Sequence, residues 1–374
     1  MMQTIRQDSL IRRMRGQTLS LKAKLKLVFV CLSLVICLSL KSRRQSIAFS
    51  LLQHRDNVRV TKLAYGDIYW CGYDLAETFV SVTFPEFKCR PHVEYKETNA
   101  KGLNDVLVLG AVRGQCQYII DNFKGRIIHL NPEGHGVGKE LQRKDVLHLG
   151  PRNLDKHSLQ LYYVSLAAME LAHEQFLEGG SPTQDILLSN RFWSRYGANL
   201  TKRRFLLYVS RRCLPHREKA FNLFASVDRV TAASLCTGNL TEGSFDRIQK
   251  SGRWQTHVKQ FGGLGFKFSL VMENILEPGY VTEKILGAFL SGTVPIYFGT
   301  EEVFDIFNRN AFVYYNTNDT QKTLEEVKNL NRDDRALSRM LAEDILTPGA
   351  REKYFNFKKI REKIEVFWCQ NGYC

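Results

Sequence analysis

The chain has 374 residues, of which 44% are hydrophobic and 24% are charged. This composition supplies enough apolar side chains for a buried core and excludes a disordered chain. At about 100–200 residues per domain, the length predicts two domains. The formal net charge is +15, but +9 of it falls in residues 1–44. The remaining +6 is too little for a basic surface spread over the body, which argues against a nucleic-acid-binding protein.

An uncharged apolar segment, residues 27–40, predicts a membrane-targeting signal. Its fourteen residues are fewer than the about 20 that a membrane-spanning helix usually needs. The segment is flanked by Lys22, Lys24, Lys26 and Lys41, whose long side chains can reach the membrane interface. No small-residue cleavage site follows, which favours an uncleaved signal anchor over a cleaved signal peptide. A buried core helix is the third alternative.

The charges around this segment predict its orientation. Seven Lys/Arg precede it and three follow immediately, so the N-terminus is expected in the cytosol. The predicted order is a cytoplasmic tail (1–26), a transmembrane signal anchor (27–40) and a short stem (41–60), with the rest lumenal.

Two further features suit a lumenal body. Three N-glycosylation triplets begin at Asn199, Asn239 and Asn318. Seven cysteines lie outside the anchor, so at least one of them is unpaired or pairs between chains. Cys369 and Cys374 close a small C-terminal loop and are the best disulfide candidate, with two exposed thiols as the alternative. The cysteine spacings give no support to a zinc site.

Alternating apolar runs and helical patterns predict an α/β body made of two halves. In the first half, strands are predicted at 105–110 and 125–130 and a helix at 159–177. In the second half, the prediction is a strand at 204–210, a helix at 217–225, a strand at 266–272, a helix at 282–290 and a strand at 294–298. A last helix is predicted at 350–368. The corresponding domains are 61–200 and 201–350, with a C-terminal helix and cysteine loop at 351–374.

Candidate binding residues follow the predicted strands of the second half. Lys284 lies in the first turn of the helix at 282–290, where free N–H groups and the helix dipole suit a phosphate. Arg211, Arg212 and Arg217 follow the strand at 204–210, and one of them beside Lys284 would form a two-cation clamp for a diphosphate. The alternatives are an exposed surface lysine and a solvated basic loop.

The first half offers a candidate general base. Glu133 and His135 follow the strand at 125–130 in a glycine-containing loop. A turn with exposed polar residues explains the same pattern. No Asp-x-Asp motif, of the type that holds a divalent metal in many sugar-nucleotide transferases, occurs in the chain.

The segment from Phe266 to Asn316 resembles the signature of the α1,3/4-fucosyltransferases, glycosyltransferase family 10. The matching elements keep the order and spacing of the family pattern: Phe266-Lys-Phe268, Glu273-Asn274, Tyr280-Val-Thr-Glu-Lys284, Gly292-Thr-Val-Pro-Ile-Tyr-Phe-Gly299 and 308–312. The resemblance covers the second half well and the first half only loosely.

This resemblance implies a GT-B fold, in which two Rossmann-like domains face a cleft. It implies GDP-fucose as the donor and an inverting transfer without an essential metal or other cofactor. Lys284 and Arg217 are then the diphosphate cations, and Glu133 is similar to the family's base, with Pro132 where the family usually has glycine. Asn274, Tyr280 and Glu283 are implied as further donor contacts.

The sequence is therefore interpreted as a Golgi type II membrane enzyme that forms an α1,3 linkage to GlcNAc in glycoprotein or glycolipid glycans. Its expected partners are GDP-fucose, a glycan acceptor and the lipid bilayer, with no nucleic acid. Two alternatives stay open. One is a catalytically inactive, sugar-binding member of the family, and the other is the same fold with another linkage or nucleotide sugar.

Overall fold

The computed structural model describes residues 63–374, with gaps at 73, 96–101, 111–115, 134–138, 144, 153–155, 178–199, 234, 250–260 and 262–263. The predicted tail, anchor and stem lie outside the described residues, as do His135 and Asn199. Within the part that is described, no helix has both the length and the apolar character needed to cross a membrane.

The first half of the described chain folds around a six-stranded sheet. Its strands are β1 (Ile68–Cys71), β2 (Cys89–Pro91), β3 (Val106–Leu109), β4 (Arg126–Leu130), β5 (Val146–Gly150) and β6 (Ser158–Gln160). The order is β2-β1-β3-β4-β5-β6, and all neighbouring strands are parallel. Every residue of β3, β4 and β5 is buried, as expected for parallel strands covered on both faces.

The second half contains another six-stranded parallel sheet. Its strands are β7 (Arg204–Tyr208), β8 (Val230–Ala232), β9 (Asp246–Arg247), β10 (Phe266–Met272), β11 (Val294–Phe298) and β12 (Val313–Tyr314). The order β12-β11-β10-β7-β8-β9 is the 3-2-1-4-5-6 arrangement of Rossmann folds when it is counted within this sheet. The strand order therefore reverses between β7 and β10, where such sheets bind ligands.

Helices connect and cover the strands. They are α1 (Asp74–Thr83), α2 (Gln117–Asn122), α3 (Tyr163–Leu177), α4 (Pro215–Phe224), α5 (Glu283–Leu290), α6 (Val303–Ile306), α7 (Thr320–Arg332), α8 (Asp334–Ala342), α9 (Ala350–Tyr354) and α10 (Phe357–Gln370). Helix α4 begins with Pro215, a residue suited to a first turn, and Thr282 is the N-cap of α5.

The two halves share a hydrophobic core within one compact unit, Leu63–Cys374. Val108 and Leu149 of the first sheet belong to the same buried cluster as Ile285 and Phe289 of α5 and Trp368 of α10. This shared core fixes the carboxyl ends of both sheets relative to each other.

The C-terminal helix α10 returns to the first half. Its Trp368 is fully buried, and the Arg126 guanidinium of β4 lies 4.8 Å from the centre of the indole ring. Tyr65 donates a hydrogen bond to Glu365 over 3.2 Å, and Arg361 pairs with Glu86 at 2.5 Å. The last helix is therefore part of the first half's packing, although it follows the second half in sequence.

Two predicted helices have different bounds in the structure. The segment predicted as a helix from 159 begins as the edge strand β6, and α3 starts only at Tyr163. The helix predicted at 350–368 is two helices, because the Asn356 side chain accepts a hydrogen bond from the Lys359 N–H at 3.1 Å and caps a new helix there.

Among the described cysteines, three disulfides join Cys71 to Cys116, Cys213 to Cys236, and Cys369 to Cys374. The last pair is the one that the sequence favours. Cys89 is free and partly buried.

Candidate functional site

A cavity of about 450 Å³ lies at the point where the strand order of the second sheet reverses. Its walls come from 207–212 at the end of β7 and in the loop after it, from 269–272 and Asn274 at the end of β10, and from one side of α5. Glu133, which follows β4 of the first sheet, also lines it. The cavity therefore collects side chains from the carboxyl ends of strands in both sheets.

Lys284 is anchored at the start of α5. Its ammonium donates to Glu273 Oε2 over 3.0 Å and to Thr282 Oγ1 over 2.8 Å, which leaves one of its three N–H groups free of a described partner. The side chain is 29% exposed. Burial alone lowers the pKa of Lys284, but the carboxylates of Glu273 and Glu283 more than compensate and the net pKa is raised. The ammonium is thus charged at neutral pH.

Glu273 is the buried carboxylate that holds the Lys284 ammonium in place. It is 0% exposed, and besides Lys284 it accepts hydrogen bonds from the N–H and the hydroxyl of Thr282, both at 2.9 Å. Burial raises the pKa of Glu273, while the neighbouring Lys284 lowers it. In the sequence, Glu273 stands out only as part of a family motif, because nothing in the pattern shows that a carboxylate after a strand turns inward.

Arg217 also lines the cavity, at 4% exposure. Its terminal nitrogens donate to the Ser210 hydroxyl (3.1 Å) and to the Asn274 side chain (2.6 Å), as well as to the backbone oxygens of Arg212 and Met272. Its Nε atom is buried without a hydrogen-bond partner among the described residues. Because Nε is buried and both terminal nitrogens are already bonded, Arg217 would act on an anion in the cavity through its positive charge rather than through a free guanidinium fork.

Arg211 and Arg212 are exposed where they line the mouth of the cavity. The loop that carries them is held at both sides: the Ser210 hydroxyl donates to the Arg212 carbonyl at 2.8 Å, and the next residue, Cys213, is in a disulfide. The structure thus brings Lys284 and all three predicted arginines to one cavity. The guanidinium groups of Arg211 and Arg212 are more accessible to a ligand than that of Arg217.

A chain of hydrogen bonds connects this cavity's two sides. Asn274 accepts from Arg217 and donates to the Tyr280 hydroxyl over 3.2 Å, and Tyr280 in turn donates to Glu133 Oε2 over 2.7 Å. Burial, followed by the hydrogen bond to Glu133, raises the pKa of Tyr280, so the phenol remains a proton donor. The sequence could not predict this contact, since it joins residues 147 positions apart.

Glu283 is the remaining predicted contact. It is the first residue of α5, lines the cavity, and places Oε1 3.7 Å from the Lys284 ammonium. Tyr163 lies at the start of α3, close to the carboxylates of Glu283 and Glu133. Burial is the main cause of its raised pKa, and the negative charges of these two carboxylates raise it further. Sequence reasoning missed Tyr163 because a helix-starting tyrosine carries no functional signal.

The loop from 275 to 281 is fixed against the first half. Gly279 has a φ of +76°, and a Cβ atom there would lie 2.2 Å from the Pro151 carbonyl oxygen. Arg152 pairs with Glu277, and the Val164 N–H donates to the Val281 carbonyl over 3.0 Å. This docking positions Tyr280 and the start of α5 against Glu133.

The other predicted sites are separate from the cavity. Asn239 and Asn318 are exposed, as acceptors of a glycan must be. Among the described residues, the grouping of potential metal ligands is Cys213, Glu218 and Cys236, but the two sulfur atoms are bonded to each other.

A cavity at the reversal point of a Rossmann-type sheet, with cations at a helix N-terminus, is the arrangement of a nucleotide-binding protein. Residues 204–342 match the family model described as glycosyltransferase family 10 (fucosyltransferase) C-term. The family model and the sequence motifs thus agree on the same family for residues 204–342.

Similar proteins agree with this assignment. The alpha-(1,3)-fucosyltransferase FucT of Helicobacter pylori is 37% identical over 100 residues, which cover 25% of this chain and 21% of the relative. An alpha-(1,4)-fucosyltransferase of Arabidopsis thaliana is 31% identical over 109 residues, 26% of each chain. The chain thus spans about a quarter or less of these curated relatives.

A crystal structure of an alpha1,3-fucosyltransferase superposes with a TM-score of 0.57 at 18% identity and covers 82% of this chain and 89% of that one. A structure of such an enzyme with GDP-fucose gives a TM-score of 0.54 at 17% identity, over 82% of this chain and 90% of that one. At these identities the likeness establishes the fold, two parallel α/β sheets of the GT-B type.

Proposed function

We propose that this protein transfers L-fucose from GDP-fucose, with inversion at the anomeric carbon, to a GlcNAc residue of a glycoprotein or glycolipid glycan, forming an α1,3 linkage. One observation carries the proposal. A carboxylate from the first sheet, Glu133, enters the same cavity as Lys284, Arg217 and the N-terminus of α5. A transferase needs this combination of a base and fixed cations across one reacting centre.

The residues divide into roles. Lys284, with the N-terminus of α5, faces the diphosphate, and Arg217 adds positive charge from the cavity wall. Arg211 and Arg212 are the exposed cations that approach the nucleotide at the cavity mouth. Negative charge builds on the departing diphosphate, and losing one such fixed donor costs about a hundredfold or more in rate.

Glu133 is the proposed base. It removes the proton from the acceptor hydroxyl while that oxygen attacks the anomeric carbon and the bond to the diphosphate breaks. A positioned base contributes about a hundred- to ten-thousandfold. In this proposal Glu283, beside Lys284, accepts hydrogen bonds from the fucose hydroxyls.

The cations come from the chain itself, so we propose that no divalent metal is essential. The predicted signal anchor completes the proposal: a single-pass type II protein of the Golgi membrane with its catalytic body in the lumen.

The test is transfer by the purified full-length protein in detergent. Labelled GDP-fucose is offered with a panel of GlcNAc-containing acceptors, and the linkage is determined by NMR. An α1,3-fucosylated product supports the proposal. Binding of GDP-fucose by calorimetry with no product on any acceptor would instead indicate an inactive sugar-binding member of the family.

A further inference from the structure

The carboxylate of the proposed base is held from the opposite half of the molecule. Glu133 follows β4 of the first sheet, whereas the hydroxyl that contacts it, at 2.7 Å, belongs to Tyr280 of the second half. Tyr280 is 1% exposed, and its loop is docked on Pro151 through Gly279. The tyrosine therefore has a fixed position from which to orient the carboxylate.

The same hydroxyl is tied to the cation side of the cavity. Asn274 donates to it over 3.2 Å, and the Asn274 oxygen accepts from Arg217 over 2.6 Å. Asn274 uses its oxygen for Arg217 and its nitrogen for Tyr280, and the Tyr280 hydroxyl accepts from Asn274 while it donates to Glu133. A displacement of Arg217 by an anion can therefore be transmitted through Asn274 and Tyr280.

We propose that Tyr280 is a positioning residue: its hydroxyl orients the Glu133 carboxylate toward the acceptor, and the contacts through Asn274 to Arg217 couple that orientation to the donor phosphates. This inference rests on the proposed function, because it takes Glu133 as the base. It gives Tyr280 a role in the proton-transfer step in place of a role in holding the donor.

A donor contact is the competing role, and the geometry leaves little room for it. A tyrosine hydroxyl has one hydrogen and two lone pairs. The hydrogen is used for Glu133 and one lone pair for Asn274. Two different kinetic signatures follow. A donor contact would change KM for GDP-fucose, whereas a positioning role changes kcat and the pH dependence.

The direction of the pH effect follows from the chemistry of the hydrogen bond. A hydroxyl that donates to a carboxylate stabilises its ionised form, so removing the hydroxyl makes ionisation harder. The charged groups that line the cavity with Glu133 are Glu283, Lys284, Arg211, Arg212 and Arg217, and Tyr163 of α3 interacts with the Glu133 charge. A Tyr280→Phe substitution leaves all of them in place.

The experiment compares full-length Tyr280→Phe with the matched control Tyr314→Phe. Tyr314 donates its hydroxyl to the Gly299 carbonyl over 2.8 Å and does not line the cavity. For Tyr280→Phe we expect kcat to fall about ten- to a hundredfold, the loss of one hydrogen bond to a charged group. KM for GDP-fucose and the Kd of GDP stay near those of the unaltered protein, and the acid limb of the kcat/KM profile moves to higher pH. Tyr314→Phe should leave kcat, KM, the Kd of GDP and the acid limb unchanged.

A double-substitution cycle shows whether Tyr280 acts through Glu133. In a Glu133→Gln background, adding Tyr280→Phe should lower the residual transfer no further. If Tyr280→Phe misfolds and loses GDP binding, Asn274→Ala serves as a second variant, because it removes the group that donates to the Tyr280 hydroxyl. It should give a smaller fall in kcat, with the acid limb moved in the same direction.

A raised KM for GDP-fucose with unchanged kcat and acid limb overturns the inference, as does an effect that multiplies in the Glu133→Gln background. If the unaltered protein transfers no fucose, the proposed function fails and this inference with it. If it transfers fucose and Tyr280→Phe equals it, only the positioning role fails.

Discussion

Replacing Lys284 by alanine should destabilise the protein as well as weaken nucleotide binding. The ammonium lies 3.0 Å from a carboxylate, Glu273, that is fully buried. At an effective dielectric constant of about 20, two charges at that distance attract by about 5 kcal/mol. Since Lys284 is itself 29% exposed, solvent screening reduces this, and we expect Lys284→Ala to lose about 2–3 kcal/mol of unfolding free energy. In a chain of this size that lowers Tm by about 3–5 °C.

The loss should depend on pH in a defined direction. Burial already raises the pKa of Glu273, and Lys284 opposes the shift, so removing the lysine raises that pKa further. At a pH above the usual carboxyl pKa, Glu273 of the folded Lys284→Ala protein still holds a proton, whereas the same group in the unfolded chain has released it. The stability of the variant therefore falls as pH rises. The deficit of Lys284→Ala is therefore largest at neutral pH and shrinks as the pH falls toward about 4.5.

Urea unfolding or thermal melting between pH 4.5 and 8 measures this effect. The matched control is Lys328→Ala, which breaks a surface pair with Glu325 and should cost less than about 1 kcal/mol at any pH. The double variant Glu273→Gln/Lys284→Ala should lose most of the pH dependence. A Lys284→Ala protein that is as stable as the unaltered one at neutral pH, or whose deficit is the same at every pH, would refute this reasoning.

Three further predictions concern the reaction. Glu133→Gln should lower transfer about a hundredfold or more while the Kd of GDP stays unchanged in calorimetry; retained activity would place the base elsewhere. Arg211→Ala/Arg212→Ala should raise KM for GDP-fucose and reduce its dependence on salt, whereas an unchanged salt dependence would remove these arginines from the nucleotide site. EDTA should leave most activity in place, and a complete loss that added Mn²⁺ or Mg²⁺ restores would contradict the metal-free proposal.

The sequence predicted the central strands well because their signals are local. The bounds of β10 and β11 agree with the predicted 266–272 and 294–298, since each is a continuous apolar run ended by polar or glycine residues. The sequence pattern predicts most of the edge strand β6 as part of a helix, because three partly exposed residues before a long apolar helix carry no separate pattern. Strand order at such an edge depends on tertiary pairing with β5.

The candidate site was predictable in its residue set and not in its connections. Placement after strand ends made Lys284, Arg217 and Glu133 candidates, and the family resemblance singled them out from alternatives that placement left open. The inward turn of Glu273 and the contact between Tyr280 and Glu133 depend on how the loop at 275–281 docks on Pro151. Such contacts join residues far apart in sequence, and no short motif encodes them.

The location of α10 is a further case. Its apolar residues predict a helix with one buried face, but not which half it packs on. The structure places Trp368 against Arg126 of β4, and Arg361, on the basic side of the helix, pairs with Glu86. Amphipathic periodicity identifies the buried stripe and leaves its partner open.

The most direct single measurement is transfer of labelled fucose from GDP-fucose to GlcNAc-containing acceptors, by the unaltered full-length protein and by Glu133→Gln in parallel, with GDP binding measured on both. We predict an α1,3-fucosylated product from the unaltered protein alone and equal GDP affinity for both proteins. Failure of the unaltered protein to bind GDP-fucose or form any product, or equal product from both proteins, would contradict the proposed site.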